Sequence, residues 1–223
     1  MNVKTNAEIA YNIIKGNILQ CRYEPGQLLS EKEIVDELKM SRTPVREALN
    51  ILDGQKALKI IYNKGIQISP ISFKSMKEIY ELRKVLEVIS VKKALRNIRE
   101  RDMKILDELY EQYKQLGNDV ESRDLDKLFD AGKDIHLFIA KLSNDEVLYS
   151  ILKNLREESY RGYVYFLKRN LESYLAGERK KTKEKVARGH KELVKALKDR
   201  DEELAIKLII EDLDTLMGLI LTY

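Results

Sequence analysis

The first 71 residues alternate short apolar stripes with strong turn signals, and this pattern predicts three helices. Isoleucines recur at helical spacing near the N-terminus, at Ile9, Ile13, Ile14 and Ile18. The Pro-Gly pair at 25–26 ends this first helix with a turn. Ser30 with Glu33 has the spacing of a capping box, which predicts a second, short helix. Ser41 is then placed as the N-cap of a third helix over residues 42–52.

A β-hairpin is predicted directly after the third helix. Residues 58–62 and 66–68 have the composition of strands, and they flank Asn63-Lys64-Gly65, which suits a tight turn. The order helix, helix, turn, helix, hairpin predicts a winged helix-turn-helix domain over residues 1–71.

The remainder of the chain contains no proline and has the pattern of long amphipathic helices. An extended segment ending at Ser72, which can cap a following helix, marks the predicted boundary between domains 1–71 and 72–223. The helices are predicted at 72–97, 101–117, 123–142, 145–170, 178–198 and 201–221. The fold class is therefore mainly α, with a C-terminal all-α antiparallel helical bundle.

Composition excludes some classes of protein. The 223 residues include 35 % charged side chains and no long uncharged apolar run, which argues against a membrane partner. Cys21 is the single cysteine and no secretory signal opens the chain, so we expect a cytoplasmic protein without an internal disulfide. The net charge of +4 is small, but residues 39–64 carry six basic side chains against two acidic ones.

The third predicted helix has the pattern of an element that reads DNA in the major groove. Hydrogen-bond donors lie on its leading turns, at Ser41, Arg42, Thr43 and Arg46. An apolar stripe for packing lies on its other side, at Val45, Leu49 and Leu52. Each arginine suits either a bidentate contact to guanine or a phosphate contact. Spacing alone leaves another interpretation open, in which this is an ordinary helix start and Arg46 pairs with a carboxylate.

The predicted hairpin offers a second DNA contact. Lys64 at its tip suits a phosphate or minor-groove contact, and Gly65 permits close backbone approach.

Three segments, 23–34, 40–49 and 63–65, closely resemble the DNA-binding domain of the GntR family of bacterial transcription regulators. The resemblance implies operator contacts from the second helix, the third helix and the wing, at Lys32, Arg42, Thr43, Arg46, Lys64 and Gly65. One departure is that Lys56 replaces the glycine usual before the wing strand.

The C-terminal part resembles the FCD effector domain of the FadR subfamily, chiefly at residues 80–87 and 190–205. The resemblance implies a pocket for a small effector, which we expect to be a carboxylate. Arg83 suits pairing with such an anion, and a salt bridge to Glu87 one turn later is the alternative.

Two histidines and one aspartate lie on apolar helix faces, at His136, His190 and Asp212. Each is explained either as a hydrogen-bonded interior side chain or as a ligand of Zn, Ni or Mn. The resemblance favours the metal, because FCD domains commonly bind a divalent ion through one Asp and three His. His136 and His190 match two of those histidines, whereas Asp212 stands at the third and Gly132 replaces the Asp. We predict all three polar side chains as ligands, completed by water or an effector carboxylate.

These observations predict a homodimeric transcription regulator, a repressor by family analogy, that binds an inverted-repeat operator. An effector that binds better to one arrangement of the dimer would then release the DNA. The alternatives are a metal-dependent enzyme or a ligand-binding protein built on the helical domain. The first lacks a nucleophile and base at suggestive spacing, so we predict no enzyme. The second would require a winged helix that has lost DNA binding, and the presence of Arg42, Thr43 and Arg46 argues against that.

Overall fold

The computed structural model describes residues 4–118, 125–168 and 188–221. Their contacts form two compact units. The first unit contains residues 4–72 and the segment that begins at Arg161, and the second contains the other described residues.

The first unit has the predicted winged helix-turn-helix order. Its elements are α1 (Asn6–Leu19), β1 (Leu28–Leu29), α2 (Glu31–Leu38), α3 (Arg42–Gly54), β2 (Leu58–Ile61) and β3 (Gly65–Ile68). The hairpin is antiparallel and pairs Leu58 with Ile68 and Ile61 with Gly65. Strand β1, which the pattern did not predict, adds to β3 and completes a sheet of order β1-β3-β2.

Local capping explains where the helices of this unit begin. The predicted capping box is confirmed, because the Glu33 amide donates to the Ser30 hydroxyl at 3.1 Å and the Ser30 amide donates to the Glu33 carboxylate at 2.7 Å. Thr5 and Glu8 form a second such box at the start of α1. Ser41 is the N-cap of α3 as predicted, but its hydroxyl makes no capping hydrogen bond.

The core of this unit lies between α1, α3 and the sheet. The stripe predicted on α3 is confirmed, since Val45, Leu49 and Leu52 are all buried. The helix predicted from the isoleucine spacing is observed as α1, whose buried face contains Ala10, Ile14 and Ile18, whereas Ile13 is 42 % exposed.

The segment entering the wing contains a backbone conformation that glycine favours. Lys56 has a φ of 61°, in the left-handed region, at the position where the sequence departs from the GntR pattern. The departure therefore leaves the turn intact and places a side chain in a conformation that costs about 1 kcal/mol.

Every regular element among the described residues of the second unit is a helix. Its elements are α4 (Phe73–Asn97), α5 (Glu100–Asn118), α6 (Leu125–Leu142), α7 (Glu146–Tyr163), α8 (188–198) and α9 (Glu202–Leu221). The end of α7, from Arg161, is counted with the first unit. The prediction of one helix over 145–170 was wrong, because α7 ends at Tyr163 and a π-helix follows over Val164–Lys168. Residues 119–124 and 169–187, which include parts of the predicted helices 123–142, 145–170 and 178–198, lie outside the described residues.

Helix α4 packs against both α6 and α9, and α5 packs against α6. Its buried face carries polar as well as apolar side chains, including Tyr80, Arg83, Glu87 and Ser90. None of the described helices is sufficiently long and apolar to cross a lipid bilayer. The mainly α fold with a small antiparallel sheet is confirmed.

Candidate DNA-binding surface and buried effector site

Helix α3 presents its predicted reading side chains to solvent. Ser41, Arg42, Thr43 and Arg46 are all exposed, on the leading turns of α3. The opposite side of α3 is held in the core by its apolar stripe. The helix therefore has the two faces that a major-groove reading element needs, one anchored and one carrying donors.

Arg46 makes the carboxylate contact that the alternative interpretation described. Its Nε donates to both oxygens of Glu31, at 2.9 and 2.8 Å. The Arg46 side chain nevertheless stays 62 % exposed. Sequence reasoning missed Glu31, because the pair joins two helices and has no spacing signature.

The remaining predicted DNA contacts lie on α2 and the wing. Lys32 and Lys64 are both exposed. Gly65 has a φ of +112°, and a Cβ at this position would lie 2.4 Å from the carbonyl oxygen of Leu29. The glycine is therefore required by the pairing of β3 with β1 inside the fold, whatever it contacts outside.

The three predicted metal ligands come together inside the second unit. The Nε2 atoms of His136 and His190 are 3.0 Å apart, and His136 Nε2 lies 3.4 Å from Asp212 Oδ2. One ligand atom from each of the three residues lies within 4.8 Å of the others. Helices α6, α8 and α9 each contribute one of them, so only tertiary packing creates the cluster.

A layer of charged side chains surrounds these ligand atoms. His136 Nδ1 is 3.0 Å from Glu87 Oε2, which also accepts a hydrogen bond from Arg156 Nη2 at 2.5 Å. Glu87 Oε1 accepts a third bond from Arg83 Nε at 2.9 Å. The side chains of Arg83, Glu87 and Arg156 are at most 7 % exposed.

The surroundings favour the ionised form of both carboxyl groups of this network. Burial acts to raise the pKa of Glu87, but the positive charges of Arg156 and Arg83 outweigh it and hold that pKa well below its usual range. Burial likewise opposes ionisation of Asp212, but the His136 hydrogen bond and nearby positive charge lower its pKa to about 2. Burial lowers the pKa of Arg156 to about 10, which keeps this guanidinium charged at neutral pH.

The donor set fits a divalent transition-metal ion. Two imidazole nitrogens and one carboxylate converge, which are ligand types that Zn, Ni and Mn accept. Glu87 on the far nitrogen of His136 is the arrangement that orients a metal-bound imidazole and directs its Nε2 to the ion. The interior hydrogen-bonded interpretation describes the same contacts without an ion, so the geometry is compatible with both.

Arg83 makes the salt bridge that one of its two interpretations describes, and its role in effector binding stays a prediction. Its Nε makes the predicted salt bridge to Glu87, yet its Nη2 is buried without a hydrogen-bond partner among the described residues. The buried hydroxyl of Tyr80 also lacks one, and the Arg83 guanidinium carbon lies 5.1 Å from the Tyr80 ring centre. Unsatisfied buried donors are rare in native proteins and call for a partner.

Tyr80 and Arg156 were not predicted as site residues, although both are buried beside the cluster. Tyr80, Arg83 and Glu87 follow one another at helical spacing on the buried side of α4, and Arg156 continues the buried face of α7 after Leu152. The same test, a polar residue on an apolar stripe, would have found them.

A cleft of about 150 Å³ lies between α8 and α9. Asp212 forms part of its lining, together with charged residues such as Arg188 and Glu192. A volume of this size accommodates a small organic molecule.

Comparisons with known proteins agree for both units. A model of the FCD domain matches residues 78–215, and a model of bacterial regulatory proteins of the gntR family matches residues 6–68. The gluconate operon transcriptional repressor of Bacillus licheniformis is 25 % identical over 217 residues, which cover 97 % of this chain and 83 % of the relative. The transcriptional repressor RspR of Escherichia coli K12 is 23 % identical over 203 residues, which cover 91 % of this chain and 83 % of the relative.

A solved structure with the same fold is that of McbR/YncC from Escherichia coli. It superposes with a TM-score of 0.80 at 24 % identity, and the match covers 99 % of each chain. The curated relatives reported above are transcription regulators, which points away from an enzyme. The chain is a transcriptional regulator that belongs to the GntR family of bacterial regulatory proteins and carries the FCD domain of its FadR-like members.

Proposed function

We propose that this regulator is a repressor that binds an inverted-repeat operator through residues 1–71. Residues 72–223 then form the dimer and bind a small anionic metabolite that releases the DNA. The observation that carries the proposal is the exposure of Arg42, Thr43 and Arg46 on a helix whose other face is buried. Two relatives are named as repressors, which supports repression rather than activation for this chain.

In the proposed complex the leading turns of α3 enter the major groove. Ser41, Arg42, Thr43 and Arg46 contact base edges or phosphates there, and Lys32 contacts phosphate beside the groove. Lys64 reaches the phosphates or the minor groove from the wing. The Ser41 hydroxyl suits a DNA contact because it makes no capping bond within its own helix.

Glu31 holds Arg46 in one orientation before DNA arrives. The ion pair uses Nε, so it fixes the guanidinium plane while the group remains largely exposed. An exposed pair of this kind is worth only about 0–1 kcal/mol, so a phosphate or guanine can replace it at little cost.

A homodimer is proposed because a single reading helix buries too little surface for specific operator binding. The second unit offers an apolar surface for it, consisting of Leu82, Val85 and Ile89 on α4 with Val147 and Ile151 on α7. All five side chains are between 39 % and 70 % exposed. The two helices share a cluster, since Leu86 of α4 packs against the group formed by Ala140 of α6 with Leu148 and Leu152 of α7. A second copy of the chain is the occupant that we assign to this surface.

The effector is proposed to bind beside Arg83 inside the second unit. The Nη2 of Arg83 and the hydroxyl of Tyr80 are buried donors without a partner in the described part of the chain, which favours an acceptor such as a carboxylate. His136, His190 and Asp212 would hold a divalent ion beside it. When bound, such an ion supplies a positive charge and ligand positions that attract a carboxylate oxygen.

The test is operator binding by full-length protein, with footprinting on the DNA upstream of its own gene. Wild-type protein should protect an inverted repeat, and protection should weaken steeply with salt as phosphate counterions are released. Arg46→Ala should reduce specific affinity by about 10-fold or more, which corresponds to one lost base or phosphate contact. Arg96→Ala, which removes an exposed arginine of α4, is the matched control and should bind as wild type does. Unchanged protection by Arg46→Ala would contradict the assignment of α3 as the reading helix.

A further inference from the structure

Tyr62 has the most exposed of the large hydrophobic side chains in the described part of the chain. It is 88 % exposed and lies at the tip of the wing, where residues 62–64 connect β2 to β3. Single exposed apolar side chains are common, so exposure alone assigns no role to this ring. The rigidity, the position and the charge of the wing around Tyr62 point to one.

The turn that carries Tyr62 is held in place by backbone contacts. The Lys64 amide donates to the Ile61 carbonyl at 3.0 Å, and Ile61 pairs with Gly65 across the hairpin. Asn63, between them, has a left-handed φ of 56°, which asparagine tolerates better than most residues. A tyrosine side chain has only two rotatable bonds, so binding the ring at this fixed position costs little conformational entropy.

The wing also has a fixed position beside the reading helix, within the same unit. Strand β2 packs against α3, and the Asp53 carboxylate near the end of α3 accepts a hydrogen bond from the Ile60 amide at 3.0 Å. Major and minor grooves alternate along a duplex. A hairpin fixed beside a helix in the major groove is therefore directed at the adjacent minor groove.

The charge of the wing suits DNA, but charge alone does not explain an aromatic ring at its tip. Residues 54–72 contain three lysines, Lys56, Lys59 and Lys64, and no acidic residue. All three lysines are exposed, and they attract the phosphates on both sides of the groove. The neutral ring of Tyr62 gains little from phosphate, because it needs an apolar surface. In a duplex that surface is the base stack, which wedging side chains reach from the minor groove.

We propose that the Tyr62 ring enters the minor groove of the operator as a wedge that partly separates two stacked base pairs. This inference rests on the DNA binding of the proposed function and adds a residue that determines specificity. Opening a base step costs least at flexible pyrimidine–purine steps such as TA and CA, so the ring favours operators with such a step beneath the wing tip. Tyr62 therefore reads the deformability of the DNA rather than the hydrogen-bonding groups of its bases.

The experiment uses full-length protein and the operator fragment that footprinting identifies upstream of its own gene. Fluorescence anisotropy gives the Kd for this fragment and for unrelated DNA of the same length. Tyr62→Ala should raise the operator Kd by about 10-fold and the Kd for unrelated DNA by less than about threefold, because the wing meets a defined step only when α3 is seated on its operator. Equal operator Kd values for Tyr62→Ala and wild type would overturn the proposal.

Tyr62→Phe separates the ring from the hydroxyl. It keeps the aromatic surface, so it should bind the operator as wild type does. A loss as large as that of Tyr62→Ala would overturn the wedge, because the hydroxyl would then make the contact.

The salt dependence of binding separates the ring from the charges around it. Lys64→Ala removes a phosphate contact and should reduce the slope of log affinity against log salt concentration by about one. Tyr62→Ala removes no charge and should keep the wild-type slope while its affinity falls. Ile105→Ala, which shortens an exposed side chain of α5, is the control and should change neither quantity. A slope reduced by about one in Tyr62→Ala would contradict the wedge.

Changes in the DNA test whether Tyr62 reads a flexible step. Each pyrimidine–purine step in the flanks of the operator is replaced in turn by the stiff step AA, in both half-sites. At the step beneath the wing, this change should weaken wild type by about 10-fold and Tyr62→Ala by less than about threefold, because the two changes remove the same interaction. Losses that add independently at every step would overturn the proposal.

Arg46→Ala distinguishes failure of this inference from failure of the proposed function. Loss of operator binding in Arg46→Ala with unchanged binding in Tyr62→Ala would reject the wedge and leave the reading helix standing. The opposite result would keep the wedge and reject the assignment of α3. Wild-type protein that protects no upstream DNA would reject both.

Discussion

The Nε atom of Arg46 donates to both carboxylate oxygens of Glu31, and this pair links the beginning of α2 to the reading helix α3. A negative charge therefore stands beside the side chain that we assign to the operator. The same contact that orients the guanidinium also lowers the positive potential of the surface.

Glu31→Gln should tighten binding to DNA of any sequence by a few-fold, because it removes one negative charge from a surface that faces phosphates. The free energy of unfolding should change by less than about 1 kcal/mol, since the pair is exposed. Gel shifts on operator and unrelated DNA measure this, with Glu78→Gln on α4 as the control. Loss of operator binding in Glu31→Gln would mean instead that orientation of Arg46 outweighs charge.

Gly65→Ala should destabilise the protein by about 2 kcal/mol or more, because the residue combines a left-handed φ with a Cβ that would overlap the Leu29 carbonyl. Gly16→Ala is the matched control, since Gly16 lies in α1 with open space around it. This substitution should stabilise the protein by up to about 1 kcal/mol, because alanine favours the helix more than glycine does. Urea unfolding of both variants gives the comparison. Equal stability of Gly65→Ala and wild type would show that β1 does not pair closely with β3.

Glu87→Gln should lower the free energy of unfolding by about 3–5 kcal/mol, because it leaves two buried guanidinium groups without their carboxylate. Glu78→Gln, on the exposed side of the same helix, should change it by less than about 1 kcal/mol. Denaturant unfolding followed by circular dichroism measures both. A loss below about 1 kcal/mol in Glu87→Gln would show that water or relaxation compensates the arginines.

Val85→Asp should convert the proposed dimer to a monomer, because it places a charge in the middle of the apolar surface on α4 and α7. Light scattering coupled to size-exclusion chromatography measures the mass. Ile105→Asp changes an exposed isoleucine of α5 outside that surface and should leave the mass unchanged. A dimeric Val85→Asp protein would place the interface elsewhere.

Local signals predicted most of the first unit. The capping box at Ser30 and the stripe on α3 act within one or two helical turns, so the pattern of the chain is sufficient to find them. Strand β1 was missed because two residues carry no periodicity, and its partner β3 lies far along the chain. The spacing of the isoleucines predicted α1 but not which of them face the core, since Ile13 has the helical spacing and is exposed.

The ligand cluster was predicted in part. Polar residues on apolar stripes identified His136, His190 and Asp212, and the structure brings their ligand atoms together. The role of Arg83 stayed open, because its Nε pairs with Glu87 while its Nη2 has no partner within residues 4–118, 125–168 and 188–221. The spacing of residues along a helix cannot tell which nitrogen of a guanidinium group makes a salt bridge.

The sequence by itself determined the kind of protein: caps, stripes and turn residues act on neighbours a few positions away, and together they specify a winged helix-turn-helix followed by helices. Only the tertiary structure decided that Glu87 receives two arginines and a histidine, and that Gly132 faces His190. Those contacts join helices separated by up to about seventy residues, as Arg156 and Glu87 are. Their geometry depends on how the helices pack, which local periodicity does not encode.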